Sequence, residues 1–344
     1  MSARIGGMGW VTPLGRGISE VWQKLLAGET ATLQSVAGPQ PEQSFEIFRV
    51  PAEATKSAPA HPRLRRSSAI SRFAAVAGLD ALADAGIQLD AESAKRTAII
   101  FAISNGGVIY TKRFYHDIVT SGAQAASPLL FPETVFNAPA SHLAAILGVT
   151  GASYTLVGDG AVGVLALKMA EDLMLDPALD RCLVVAAEEA DGLLCDAYLR
   201  WRLPITLSEG AGAVLLDRTG PISIQAIDAG GNFSRRSRAA DCIAKILERL
   251  EATSHDLFIT SANGSFIDRA EAAAIAEFAP RAQTYAPKSA LGESVGASAL
   301  WQVICAVESL KTREFPGTQH FRAQRAIVSA CGLNQQVAGL ALAL

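Results

Sequence analysis

The segment that most constrains the fold of this chain is GASYTLVGDGAVGVLALKMA, from Gly151 to Ala170. Residues 153–157 read as a strand, the small residues 158–161 as a tight turn, and a helix is predicted from about Val162. A strand that turns directly into a helix brings the turn to the helix N-terminus, where free N–H groups and the helix dipole favour an anion. Enzymes hold a nucleophilic Cys or Ser at such a position. Here the position belongs to Gly160, which has no side chain.

Apolar runs of strand length alternate with helical segments along the rest of the chain. The predicted strands are RTAIIFAIS, RCLVVAAEE and SEGAGAVLLD before residue 220, and PISIQAIDAGG, DLFITSANG, RAIVSACG and VAGLALAL after it. Nearly continuous apolar strands are typical of sheets that helices cover on both faces, so the pattern predicts an α/β fold. Residues 33–62 are rich in Pro, Ala and Glu and show little periodicity, and we expect a surface loop there.

Two segments, one in each half of the chain, resemble each other in sequence. The segment GDGAVGVLAL, which follows the organising strand, can be laid on GESVGASAL, from Gly292 to Leu300. Aligning Gly163 with Gly296 brings Gly160 opposite Glu293, and both segments run into an apolar helix. A duplicated α/β half, arranged as a pseudo-dimer, explains this repetition.

The two halves meet at Gly220 and Pro221, where the strand pattern starts again. The predicted domains are therefore residues 1–219 and residues 220–344. Small residues at the start of both corresponding helices allow the two helices to approach closely, which predicts a central layer shared by the halves.

Composition narrows the classes of function. A formal net charge of −3 gives no basic face for nucleic acid, and no apolar run is long enough to span a bilayer. The first residues lack the pattern of a signal peptide. Five scattered cysteines, none in a CxxC pair, are expected to be free thiols in a cytoplasmic protein. Only 18% of the residues are charged and 50% are hydrophobic, which favours an oligomer with a large buried interface.

An ordered set of motifs resembles the β-ketoacyl-ACP synthases, the ketosynthase branch of the thiolase superfamily. GGMGWVTPLG is similar to the family's GMGxVTPLG start, RRSSAISRFAAVAGLDALADAG to its first long helix, and FNAPASHLAAILGVTGASYTL to the approach to the active strand. SEGAGAVLLD resembles the strand that closes the first half, SANGSFID the AHGTxTxxND motif, and KSALGESVGASALWQV the KSxxGHxxGAAG motif. The resemblance implies a thiolase fold, with duplicated βαβαβαββ halves in five α-β-α-β-α layers.

The resemblance also implies the position of an active site, but one without the family's catalytic side chains. The family carries out Claisen condensation with a Cys nucleophile and two His that bind the malonyl thioester carbonyl. Those three positions fall on Gly160, Asn263 and Glu293, whereas the family's motif lysine is retained as Lys288. Glycine cannot form a thioester, and ionised glutamate accepts hydrogen bonds rather than donating them. We therefore expect no condensation by this chain alone, no cofactor beyond a carrier protein's phosphopantetheine arm, and no metal.

Other residues near these positions have two interpretations each. Asp159 could act as a base, although carboxylates in tight turns are more often caps. Cys331 falls where the family has a loop that lines the pocket, and a small buried thiol is the simpler interpretation. His142 is expected at a helix start or in packing rather than in catalysis. Lys288 and Glu293, five residues apart around a turn, could form a buried ion pair in the vacated site.

The family offers a precedent for such a loss. In type II polyketide and aryl-polyene-like systems, a catalytic ketosynthase pairs with a homologous subunit that lacks the nucleophile, the chain-length factor. The resemblance therefore implies a heterodimer with an active ketosynthase. The alternatives are an enzyme of altered chemistry, such as a malonyl-ACP decarboxylase or an acyl hydrolase, and a stand-alone pseudoenzyme that scaffolds carrier-protein traffic.

A cluster of arginines precedes and begins the long helix of the first half. It consists of Arg63, Arg65, Arg66 and Arg72. The simple interpretation is a solvated face, and the sharper one is a docking site for an acidic acyl carrier protein.

Overall fold

The computed structural model describes residues 3–56, 58–317 and 320–344. Before residue 220 the elements are β1 (Arg4–Thr12), β2 (Gly15–Arg16), α1 (Ile18–Leu26), β3 (Leu33–Ala37), β4 (Ser44–Phe48), α2 (Ala69–Asp84), α3 (Ala91–Lys95), β5 (Thr97–Ile103), α4 (Val108–Ser121), α5 (Ala138–Leu147), β6 (Ser153–Val157), α6 (Val162–Leu173), β7 (Arg181–Glu188), α7 (Gly192–Arg200) and β8 (Gly210–Asp217). After it they are β9 (Ile222–Asn232), α8 (Ala239–Arg249), β10 (Leu257–Ile259), α9 (Phe266–Phe278), β11 (Gln283–Tyr285), α10 (Lys288–Leu291), α11 (Ser298–Thr312), β12 (Arg325–Cys331) and β13 (Gln336–Ala343).

The strand order repeats in the two halves. The first half runs β6-β5-β7-β8-β1, and the second runs β11-β10-β12-β13-β9. In each half three strands are parallel, and the last two pair antiparallel beside them. The halves join through β1 and β9, where Arg4 pairs with Ser223 and Ile5 with Ile222. Both halves therefore follow βαβαβαββ, as the duplication predicts.

Helices cover and separate the two halves of the sheet. α2 and α5 pack on the outer face of the first half, and α8 and α9 lie outside the second half. α6 and α11 lie between them and contact strands of both halves. A Cβ on Gly163 would lie only 3.0 Å from the Cβ of Ala299. The two central helices, α6 and α11, therefore approach closely, as their small residues predicted. The fold is the expected five-layered α-β-α-β-α arrangement of a thiolase-like protein.

Burial explains why the strands form where they do. All seven residues of β5 are buried, as are seven of the eight residues of β7. A strand with helices on both faces buries both sets of alternating side chains, which is why these runs are apolar without interruption.

The predicted surface loop at 33–62 is wrong in part. β3 and β4 form an antiparallel hairpin, with Leu33 opposite Phe48 and Ala37 opposite Ser44, and short 3-10 turns follow at Ala52–Thr55 and Pro62–Leu64. β3 has no apolar alternation, because none of its residues is fully buried, whereas β4 buries only Ile47 and Phe48.

Four of the described helices were not predicted, namely α3, α4, α7 and α10. α4 buries none of its residues and so leaves no periodic apolar signal in the sequence. No helix in the described parts of the chain is long and apolar enough to cross a membrane.

Candidate functional site

The turn between β6 and α6 is where the organising segment predicted it. α6 begins at Val162, and Gly160 is buried. A Cβ built on Gly160 would lie 3.2 Å from the Cα of Gly332 and 3.4 Å from the carbonyl oxygen of Cys331. The backbone that follows β12 therefore lies directly against the glycine, and any side chain at Gly160 would contact it.

Asp159 does not cap its own helix. Its Oδ2 atom accepts hydrogen bonds from the backbone N–H groups of Asn334, at 2.9 Å, and Gln335, at 3.0 Å. Its own N–H donates to the side-chain oxygen Oε1 of Gln336 at 3.0 Å. No side chain caps α6. The Asp159 carboxylate therefore caps backbone N–H groups, as predicted for a carboxylate in a tight turn, but these groups belong to a turn in the second half of the chain.

The predicted ion pair between Lys288 and Glu293 is present. Lys288 Nζ lies 2.7 Å from Glu293 Oε2, and each side chain is 2% exposed. Asn263 Nδ2 donates to the same oxygen at 2.6 Å. The structure thus brings together the two positions that the resemblance assigns to the family's histidines, and the retained lysine joins them.

The second oxygen of Glu293 is also occupied. It accepts a hydrogen bond from the backbone N–H of Val295 at 2.9 Å and another from Ser298 Oγ at 2.8 Å. Val295 has φ of 37°, a left-handed conformation that is rare and strained for a β-branched residue. Glu293 therefore holds a strained turn at the start of α11, besides pairing with Lys288.

A second set of buried polar groups is hydrogen-bonded beside the turn that follows β12. The N–H of Cys331 donates to Ser261 Oγ at 2.9 Å, and that hydroxyl donates to the carbonyl of Ser329 at 2.8 Å. Glu271 accepts from the N–H of Ser261 at 2.8 Å and from Ser329 Oγ at 2.6 Å. Burial raises the pKa of Glu271 to about 7. Asn263 follows Ser261 by two residues, so this polar cluster and the Glu293 network are neighbours along the chain.

Cys331 and His142 have the simpler roles that were predicted for them. Cys331 is 1% exposed, and burial raises the pKa of its thiol well above the usual range, so the reactive thiolate is disfavoured. His142 is buried within α5, and its Nε2 lies 2.6 Å from Glu133 Oε1. It packs in an outer helical layer.

Two buried carboxylates at the end of β7, those of Glu188 and Glu189, were not predicted from the sequence. Glu188 accepts hydrogen bonds from the backbone N–H groups of Ser104 and Asn105, and Glu189 accepts one from Ile109 at 2.9 Å. Burial raises the pKa of Glu188 to about 8 and that of Glu189 to about 7. The sequence signal for these buried carboxylates was the pair Glu188 and Glu189, which follows the apolar run of β7.

A cleft of about 710 Å³ opens beside the β6–α6 turn. Its lining includes Tyr198, Trp201, Arg236, Val295 and Leu333, together with Asp159. Tyr198 OH donates to Asn105 Oδ1 at 3.0 Å. The cleft reaches the Asp159 side of the turn, and Val295, in its wall, is bonded directly to Glu293. In the described ranges, no group of three or more His, Cys, Asp or Glu side chains is arranged to hold a metal ion.

Both halves of the chain match models of one protein family. The family model of the beta-ketoacyl synthase N-terminal domain matches residues 4–220, and that of the C-terminal domain matches residues 224–322. The chain belongs to the beta-ketoacyl synthase family.

Individual relatives of this ketosynthase-family chain are distant. A 3-oxoacyl-[acyl-carrier-protein] synthase 2 from Coxiella burnetii is 26% identical over 161 residues, which is 44% of this chain and 37% of that protein. Among solved structures, the ishigamide ketosynthase/chain length factor is 20% identical with a TM-score of 0.83, and covers 100% of this chain and 99% of that one. A ketosynthase in complex with its chain length factor from Xenorhabdus doucetiae is 16% identical with a TM-score of 0.82, over 100% and 98% of the chains. These structures support the fold.

Proposed function

We propose that this chain is a non-condensing subunit that assembles with an active ketosynthase, in the manner of a chain-length factor. The observation that carries the proposal is the closed network at the catalytic positions of the family. Glu293 accepts four hydrogen bonds, so neither of its oxygens is left to assist a substrate. Gly160 supplies no nucleophile, and the nearest thiol, that of Cys331, is buried with a raised pKa.

The altered-chemistry alternative is weakened by the same network. A malonyl-ACP decarboxylase needs hydrogen-bond donors that face the thioester oxygen. Asn263 is the candidate donor, but one N–H of its amide donates to Glu293 at 2.6 Å, so at most one N–H is left for a thioester oxygen, and its Oδ1 accepts from Ser265 Oγ at 2.6 Å. An ionised glutamate beside a developing enolate would oppose the reaction.

The free edge of the sheet supports the proposed assembly. β6 ends the sheet and pairs only with β5 among the described strands. Tyr154 on this strand is 44% exposed and Val157 is 54% exposed. An unpaired edge strand with exposed apolar side chains is a template for pairing with another chain. We propose that a ketosynthase partner covers this edge.

The arginines that precede α2 are proposed to dock the acyl carrier protein. α2 begins at Ala69, so Arg63, Arg65 and Arg66 lie in and after the 3-10 turn before it, and all three are exposed. Reversing the charge of Arg65 and Arg66 should weaken binding of the carrier protein by about tenfold or more, since two attractive charges become repulsive. Unchanged affinity would refute this docking site.

The proposed assembly is tested by co-expression with a ketosynthase encoded next to this gene, followed by size exclusion with mass analysis. A stable one-to-one complex, with condensing activity that requires both chains and survives mutation of Gly160 to Ala, supports the proposal. A homodimer that is indifferent to the partner refutes it and favours the stand-alone pseudoenzyme. Turnover of malonyl-ACP by that homodimer would instead establish altered chemistry.

A further inference from the structure

Asp159 and the turn between β12 and β13, residues 332–335, are bonded reciprocally. The carboxylate of Asp159 accepts from the N–H groups of Asn334 and Gln335, at 2.9 and 3.0 Å. In return, the N–H of Asp159 donates to Gln336 Oε1 at 3.0 Å. The turn itself is closed by the N–H of Gly332, which donates to the carbonyl of Gln336 at 2.7 Å. The two halves of the chain are thus joined by side-chain bonds in both directions.

Steric contact holds the same turn from the other side. A Cβ on Gly332 would lie 1.5 Å from Asp159 Oδ1, so the carboxylate lies against the bare Cα of this glycine. The Cα of Gly332 is also the atom nearest to a Cβ built on Gly160. Residue 332 is therefore enclosed between the two consecutive residues 159 and 160, and only glycine fits there.

The turn lies between two parts of the site. On one side, Leu333 and Asn334 line the 710 Å³ cleft. On the other side is Cys331, which is 1% exposed and bonded to Ser261, two residues before Asn263. Opening the turn would therefore connect the cleft with the buried polar cluster.

We propose that Asp159 is a latch that keeps the β12–β13 turn closed over Gly160 and separates the cleft from the buried cluster. The carboxylate satisfies N–H groups that would otherwise be free to bind an anion from the cleft, so the chain supplies its own internal ligand. This role does not depend on a partner subunit or on the proposed function. It uses a side chain at the position before the missing nucleophile.

The test compares Asp159→Ala with a matched control, Asp172→Ala, on the full-length chain. Asp172 is an aspartate of α6 whose ion pair with Lys168 lies on the surface. Two quantities are measured: amide hydrogen exchange in a peptide that spans residues 332–336, and alkylation of Cys331 by N-ethylmaleimide, located by peptide mass. Cys195 and Cys242, which are partly exposed, serve as internal references.

Asp159→Ala should raise both rates by about tenfold or more, because it removes charge-assisted hydrogen bonds to two backbone N–H groups. Asp172→Ala should leave both rates unchanged. Gln336→Ala, which removes only the reciprocal bond, should give an intermediate increase, and it tests the latch if Asp159→Ala does not fold. Wild-type rates in a folded Asp159→Ala variant, or in Gln336→Ala if it alone folds, would overturn the proposal.

Discussion

The ammonium group of Lys288 lies 2.7 Å from the Oε2 atom of Glu293, and each of the two side chains is 2% exposed. A buried ion pair loses the hydration of both charges and is stable only when further hydrogen bonds satisfy its atoms. Here Asn263, the N–H of Val295 and the hydroxyl of Ser298 provide them. The region to which the resemblance assigns the family's catalytic residues therefore resembles a structural core, and its residues should affect stability.

Replacing Glu293 with Gln should lower the free energy of unfolding by about 3 kcal/mol or more, because Lys288 would remain buried and charged without its partner. The measurement is urea unfolding followed by circular dichroism. The matched control is Glu92→Gln, which breaks the exposed pair with Lys95 and should cost less than about 0.5 kcal/mol. A loss of the same small size in both variants would contradict the structural role of the network.

Stability should fall as the pH rises from about 4.5 to about 8. Burial raises the pKa of the Glu188 carboxyl from its ordinary value of 4.5 to about 8. In this window the unfolded chain has released a proton that the folded chain retains, so the stabilisation is complete below the window and is lost as pH rises through it. The raised pKa values of Glu189 and Glu271, both about 7, act in the same direction.

Glu188→Gln tests this dependence, because the amide keeps an acceptor for the N–H groups of Ser104 and Asn105 but does not titrate. The slope of unfolding free energy against pH should become shallower by up to about 1.4 kcal/mol per pH unit between pH 5 and 7. Glu277→Gln, at an exposed position, should keep the wild-type slope. Equal slopes in all three proteins would contradict the assignment.

Gly163→Ala should destabilise the fold although alanine favours helices. The new Cβ would lie 3.0 Å from the Cβ of Ala299 and 3.3 Å from the Cγ of Leu300, and overpacking of this kind costs about 1–3 kcal/mol. We expect a net loss of about 1 kcal/mol in thermal or urea unfolding. Gly231→Ala is the control, since nothing lies within 4 Å of its added Cβ. Loss in the control alone would argue against a tight central crossing.

Val157→Lys should abolish co-purification with the partner ketosynthase. Val157 is 54% exposed at the end of β6, and a lysine there would be buried without a partner in the proposed interface. Leu175→Lys, at a 74% exposed position after α6, is the matched control and should leave the complex intact. Retention of the complex by the Val157 variant would place the interface elsewhere.

Much of this architecture could be predicted from short sequence patterns. The strands β5 and β7 were predicted because both faces are buried. The duplication was visible because Gly163, in the first turn of α6, and Gly296, two residues before α11, belong to similar segments. The pair formed by Lys288 and Glu293 was also accessible, since both residues belong to one turn.

Features that depend on the other half of the chain were not accessible in the same way. The carboxylate of Asp159 finds its partners at Asn334 and Gln335, about 175 residues away along the chain. In the hairpin of β3 and β4 only Ile47 and Phe48 are buried, so its apolar signal is short. The raised pKa of Glu188 arises from an enclosure that its sequence neighbours do not reveal.

The four donors around Glu293 also determine how the chain could be re-equipped for condensation. A histidine at this position would leave Lys288 charged and the N–H of Val295 unpaired, whereas a cysteine at residue 160 alone would gain no histidine beside it. Neither single substitution therefore supplies a complete catalytic set, and the one at Glu293 also breaks the buried network. Under the proposed function, condensation would therefore require Gly160, Asn263 and Glu293 to change together, and the buried network opposes the step at Glu293.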